Sequence, residues 1–86
     1  MERVIVDVRE AKEYAMGHAA EALNIPLSEL MNNSRGLGEI PKDSQVILYC
    51  NSGNRSGIAK NMLEAMGYTN VTNGINKDRV SASFGA

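Results

Sequence analysis

Cysteine is all but missing from this chain: Cys50 is the only one in 86 residues, so no intramolecular disulfide can staple the fold. Long apolar runs are missing as well. The longest, residues 46–50 (VILYC), falls far short of the about 20 residues a helix needs to cross a bilayer. Met1 leads straight into Glu2 and Arg3 without the apolar stretch of a secretory leader, so the chain as written reads as soluble, with removal of a leader ahead of Met1 left open. Neither sign of charge dominates. Nine Lys and Arg against ten Asp and Glu give a formal net charge of −1, which suggests neither a basic nucleic-acid face nor an acidic disordered tail. No repeat or low-complexity tract interrupts the sequence, and a single histidine, His18, leaves little material for a metal site.

What remains is an ordinary globular composition, 43% hydrophobic and 22% charged. Its length suits one domain, residues 1–86, with no room for a separate substrate domain. A chain of this size buries somewhat more than roughly 60% of the surface its unfolded form exposes, enough to fold without staples.

The apolar segments are short, β-branched and spaced by helical patterns. Residues 4–6 (VIV), closed by Asp7, and residues 46–49 (VILY), set between Pro41, Asp43 and Ser44 and the polar stretch 51–54, read as buried parallel strands. Residues 22–25 before Pro26 and residues 70–72 read as weaker strands. Helices are expected over 10–16, ended by Gly17, over 27–31, and over 55–66. In the last of these, Ile58, Ala59, Met62, Leu63 and Met66 form an apolar stripe, with Lys60, Asn61 and Glu64 outside and Gly67 past the end. Residues 32–38 read as a loop and residues 81–86 as a frayed tail. The order β-α-β-α-β-α-β implies an α/β domain with a mostly parallel sheet covered by helices.

Cys50 therefore ends a strand that passes through a short loop into a helix, the place where open α/β sheets bind ligands. Gly53 can take positive φ, and the loop amides can turn inward as an anion-binding nest, with the helix behind them presenting its positive end. Such surroundings, with Arg55 added, lower a cysteine pKa from about 8.5 into a range of roughly 3.5 to 7.5. Cys50 is thus a candidate nucleophile. A lone cysteine without this loop would read as a small buried hydrophobe.

Three stretches then carry a resemblance. Residues 5–27, IVDVREAKEYAMGHAAEALNIPL, combine Asp-x-Arg, Glu-x-x-x-Gly-His and Asn-Ile-Pro; residues 50–56 form the cysteine loop; residues 66–71, MGYTNV, lead into a final strand. In this order they resemble the single-domain rhodaneses, sulfurtransferases with a small α/β domain, a sheet of four to five mostly parallel strands and helices on both faces. A short chain with Asn51 after the cysteine and Asn-Gly-x-x-Lys-Asp at 73–78 looks most like the phage-shock-protein E type of bacterial rhodanese. That type is exported, so the resemblance implies a periplasmic location if a leader was removed and a cytoplasmic one otherwise. Many relatives carry an additional strand and helix before Asp-x-Arg and an arginine directly after the cysteine. This chain has neither, so its loop is less positive.

The resemblance implies that Cys50 takes a sulfane sulfur from thiosulfate as a persulfide and passes it to cyanide or a thiol, in ping-pong fashion and without a cofactor. Asn51, Ser52, Gly53, Asn54, Arg55 and Ser56 would hold donor and persulfide through loop amides and anion contacts. Asp7 and Arg9 would either brace the loop by hydrogen bonds or form a solvated surface pair, and His18 would sit in a structural turn. Neither thiolate attack nor sulfite departure needs a general base. A monomer acting on small molecules is implied, with an acceptor protein as a further partner and with neither nucleic acid nor membrane.

Two rival readings use the same residues. A cysteine-dependent phosphatase or arsenate reductase would set one more residue between cysteine and arginine than the four found here, residues 51–54. A sulfur carrier for a specific protein, or an idle binding module, is the other.

Overall fold

A computed structural model describes residues 3–32 and 40–86 of the chain. Four strands, β1 (Arg3–Asp7), β2 (Leu23–Asn24), β3 (Gln45–Cys50) and β4 (Val71–Asn76), form one sheet in the order β2-β1-β3-β4. Every pairing is parallel. Parallel neighbours cannot be joined by a hairpin, so the chain crosses over between strands. The helices are α1 (Ala11–Ala15), α2 (Leu27–Met31), α3 (Asn54–Ala65) and α4 (Lys77–Phe84).

The period-two alternation of β3 divides the core. Val46, Leu48 and Cys50 face one side, where they pack with Leu30 of α2 and Ala59 and Leu63 of α3. Ile47 and Tyr49 face the other, where Val80 of α4 joins them and Tyr14 of α1 and Phe84 pack alongside. A central strand covered on both faces needs a continuous apolar run, which explains VILYC. None of the described helices is long and apolar enough to cross a membrane.

The strands and helices expected from sequence are all present, with moved ends. β4 reaches Asn76, four residues past the expected end, through an irregularity that pairs Leu48 with Asn73 and Tyr49 with Ile75, leaving Gly74 as the extra residue. Most of the expected loop at 32–38 lies outside the described residues.

Two expectations need correction. The stripe on α3 is narrower than its composition implies: Ala59 and Leu63 are buried and Met62 packs against the core, whereas Ile58 and Met66 are exposed. The buried line runs through 56, 59 and 63, so a serine, Ser56, takes a place next to the sheet. The segment 81–86 is not a frayed tail. Asn76 caps α4 by accepting from the Arg79 amide at 2.8 Å, and Val80 and Phe84, four apart, bring the helix onto the sheet.

Candidate active site

Cys50 closes β3, and the chain turns through residues 51–53 into α3. The turn depends on Gly53, whose φ of +93° lies in the left-handed region that favours glycine. With Gly53 as N-cap, its carbonyl accepts the first helical bond from Gly57 N–H at 2.9 Å, and its own N–H donates to Cys50 Sγ at 3.1 Å. Ser56, in the first turn of α3, puts its hydroxyl 3.4 Å from the same sulfur.

Burial pushes the Cys50 thiol up, but the Ser56 hydroxyl and the N–H groups of Ser56, Gly53 and Ser52 hydrogen-bond its anion and outweigh that cost. The net result is a pKa lowered to about 7. The anion is thus favoured over an ordinary thiol's, by donors fixed by the start of a helix.

The Arg55 guanidinium does not stand open. Nη1 donates to Glu13 Oε1 at 2.9 Å and Nη2 to Glu13 Oε2 at 3.2 Å. The Asn51 side chain donates to Glu13 Oε2 at 3.0 Å, and the Glu10 amide to Oε1 at 3.0 Å. Bonding first with Arg55 and then with the Glu10 amide holds the Glu13 carboxyl down at about 2, and Glu13 in turn raises Arg55 above its ordinary value. Glu13 thus ties α1 to both ends of the cysteine loop, and sequence reading passed it over. The signal for it was the Glu of Glu-x-x-x-Gly-His, which the sequence offers without a partner.

Asp7 and Arg9 are both buried. Arg9 Nε donates to Asp7 Oδ1 at 2.9 Å and Nη2 to Asp7 Oδ2 at 2.7 Å, a side-on fork. Nη2 also donates to Gly17 O at 2.6 Å, and the guanidinium lies 5.5 Å from the Tyr49 ring centroid. The pair was expected to brace the Cys50 loop by hydrogen bonds. Its side-chain bonds run instead to each other and to the turn at Gly17, which follows α1. His18 stacks on Tyr14, centroids 3.7 Å apart, with Nδ1 2.9 Å from Tyr14 O, as a residue of that turn.

Ser52 lies exposed on the loop, and Asn54 is exposed as the first residue of α3. A second residue missed from sequence is Asn73 on β4. Its Nδ2 donates to Gly53 O at 3.0 Å, and its Oδ1 accepts from Ser56 Oγ at 2.6 Å. Among the described residues no group of three or more His, Cys, Asp or Glu side chains gathers as a metal site.

The chain is 44% identical over 69 residues to the Escherichia coli thiosulfate sulfurtransferase PspE, covering 79% of this chain and 64% of that protein. It is 39% identical over 70 residues to an Allochromatium vinosum sulfurtransferase, covering 81% of this chain and 63% of the relative. It therefore spans less than two thirds of the length of either. A solved E. coli structure, described as a rhodanese with anions, superposes with a TM-score of 0.81 at 35% identity, with 92% of each chain covered. The profile of the Rhodanese-like domain matches residues 1–76, and the chain belongs to that family.

Proposed function

We propose that this chain, as one domain, is a thiosulfate sulfurtransferase working through a persulfide on Cys50. The observation that carries the reading is the set of groups gathered on a single sulfur: Gly53 N–H donates to it at 3.1 Å and the Ser56 hydroxyl lies 3.4 Å away, contacts that favour its anion. The PspE relative, a thiosulfate sulfurtransferase, supports it.

In the first half-reaction the Cys50 thiolate attacks the sulfane sulfur of thiosulfate. The new bond is Cys–S–S⁻, the broken one joins that sulfur to the sulfonate, and sulfite leaves with the bonding pair. In the second, cyanide or a thiolate attacks the outer sulfur, thiocyanate or a new persulfide departs, and the Cys50 thiolate returns. The charge in each half-reaction balances without a proton transfer. The loop amides would hold the persulfide anion as they hold the thiolate, so no cofactor enters the scheme.

Arg55 would receive the donor's sulfonate. Glu13 occupies one N–H on each Nη, which leaves the Nε–H and the outer Nη hydrogens to face an anion. Asn51, Ser52 and Asn54 would line the approach. The spacing of Cys50 and Arg55, with four residues between them, favours a single sulfur over the tetrahedral anion of a phosphatase. The scheme needs neither nucleic acid nor membrane and works for a monomer. A periplasmic location belongs to this reading through the resemblance to the exported type alone.

The test is intact-protein mass spectrometry after thiosulfate treatment, before and after cyanide. Wild type is expected to gain one sulfur and lose it to cyanide with release of thiocyanate, while Cys50→Ser gains none. Arg55→Ala is expected to keep its fold and load sulfur more slowly from thiosulfate. No gain on reduced, folded wild type would overturn the reading for thiosulfate and turn the assay to mercaptopyruvate.

A further inference from the structure

Ser56 has one hydroxyl proton and two neighbours able to take it. Asn73 Oδ1 lies 2.6 Å from Ser56 Oγ, and Cys50 Sγ lies 3.4 Å from it. Ser56 and Cys50 are both buried, so no bulk water stands in for either partner. While the sulfur keeps its own proton, a chain of bonds satisfies all three residues: S–H donates to Ser56 Oγ, and the hydroxyl donates onward to Asn73. Once the sulfur is an anion it can only accept, and the hydroxyl must turn towards it. Asn73 Oδ1 is not stranded by that turn, because it also accepts from the Ile75 amide at 3.0 Å.

Asn73 is held where this exchange requires it. The irregularity in β4 places Ile75 at φ +75°, a left-handed conformation that is an outlier for a β-branched side chain. Such strain persists where the surroundings over-determine it. Here they do: Asn73 Oδ1 takes the Ile75 amide, and the Ile75 Cγ atoms lie 3.5 Å from the position a Cβ on Gly53 would occupy, directly against the loop. The Asn73 Nδ2–H completes the clamp on the Gly53 carbonyl.

We propose that Asn73 is a positioning residue of the sulfur site, competing with the Cys50 sulfur for the Ser56 hydroxyl proton and so setting how readily the sulfur becomes and stays an anion. This rests on Cys50 being the reacting sulfur. The charged groups around Cys50 are Arg55 on α3, Glu13 on α1 that pairs with it, and the Asp7–Arg9 pair from the end of β1. Their hydrogen bonds, given above, do not reach Ser56 or Asn73, so a neutral change at 73 acts through the hydroxyl or through the clamp on Gly53, two routes that removing the Ser56 hydroxyl separates.

The experiment is the pH dependence of Cys50 alkylation by iodoacetamide, measured for wild type, Asn73→Ala, Asn73→Asp, Ser56→Ala and the Ser56→Ala/Asn73→Ala double variant. Asn73→Ala gives the hydroxyl wholly to the sulfur and is expected to lower the midpoint by about half to one pH unit, the worth of one net hydrogen bond. Asn73→Asp holds the proton more firmly, adds a negative charge and is expected to raise it. Both variants lose the Gly53 clamp, so a merely structural role would move them in the same direction. In the Ser56→Ala background the effect of Asn73→Ala is expected to vanish. Shifts of the same sign in the two Asn73 variants, or a shift that survives without the Ser56 hydroxyl, would overturn the proposal. Alkylation reads Cys50 without sulfur transfer, so a failure to load sulfur from thiosulfate would count against the proposed function and leave this result standing.

Discussion

Arg55 and Glu13 meet end-on, Nη1 to Oε1 at 2.9 Å and Nη2 to Oε2 at 3.2 Å, across 42 residues of sequence. The guanidinium beside the sulfur therefore arrives already partnered. Its charge is largely cancelled at the place where an anionic donor would dock, and its direction is fixed by α1 rather than by the loop. Glu13→Gln keeps one acceptor for Arg55 and removes the negative charge. The expected outcome is a KM for thiosulfate lowered about 2- to 5-fold, the range for a half-exposed pair. Steady-state kinetics at low and high salt check it, since screening shrinks an effect of this origin.

The same carboxylate makes stability depend on pH. Glu13 sits at about 2 in the folded chain against an ordinary 4.5, so between those values the unfolded state binds more protons than the folded one. Its stabilising contribution is complete above about pH 4.5 and is lost as pH falls through 4.5 towards 2. Melting temperatures of wild type and Glu13→Gln are expected to differ most near neutral pH and to converge as pH approaches 2. A gap that stays constant over that window would mean that Glu13 acts by shape rather than by charge.

Titration of the sulfur itself is a third check. With a pKa of about 7, the rate of Cys50 alkylation is expected to rise as pH climbs through 7 and to level off above about 8. The donors are the Ser56 hydroxyl and the N–H groups of Ser56, Gly53 and Ser52, working against burial. Ser56→Ala removes the hydroxyl and is expected to move the midpoint up by about half to one pH unit. An unchanged midpoint would leave the backbone donors alone as the cause.

How far these features were readable from sequence follows from what is local in the chain. Cys50, Gly53, Arg55 and Ser56 lie within seven residues, and strand, turn and helix start announce themselves there. The run VILYC announces a strand covered on both faces. Glu13 and Asn73 belong to the site only because α1 and β4 pack beside the loop, 42 and 17 residues away from their partners. No local pattern encodes such a meeting. Helix α4 is hard to read for a different reason: Ser81 and Ser83 are weak helix formers, and the helix rests on the Asn76 cap and the Val80/Phe84 pair meeting the sheet. Ile58 was misplaced because an apolar residue one step from Ala59 on α3 reads as part of the stripe although it points about 100° away from it.

The fourth prediction concerns Gly74, the extra residue of β4. A Cβ there would lie 2.6 Å from Val80 Cγ2 and 3.1 Å from both Ile47 Cγ2 and the Leu48 carbonyl oxygen. Val80 is packed from α4 and Ile47 and Leu48 belong to the central strand, so none is a flexible end that can swing aside. Either α4 lifts from the sheet or β4 shifts against β3, and the second would carry Asn73 away from Ser56. Gly74→Ala is expected to cost about 1 to 3 kcal/mol of stability, the usual range for overpacking, measured by urea unfolding. Where the loss falls is informative. If α4 gives way, the Cys50 alkylation midpoint stays near pH 7 while Tyr14 and Phe84 lose their packing. If β4 gives way, the midpoint moves with the stability, because the strand that carries Val80's contact also carries the Asn73 side chain that bonds Ser56.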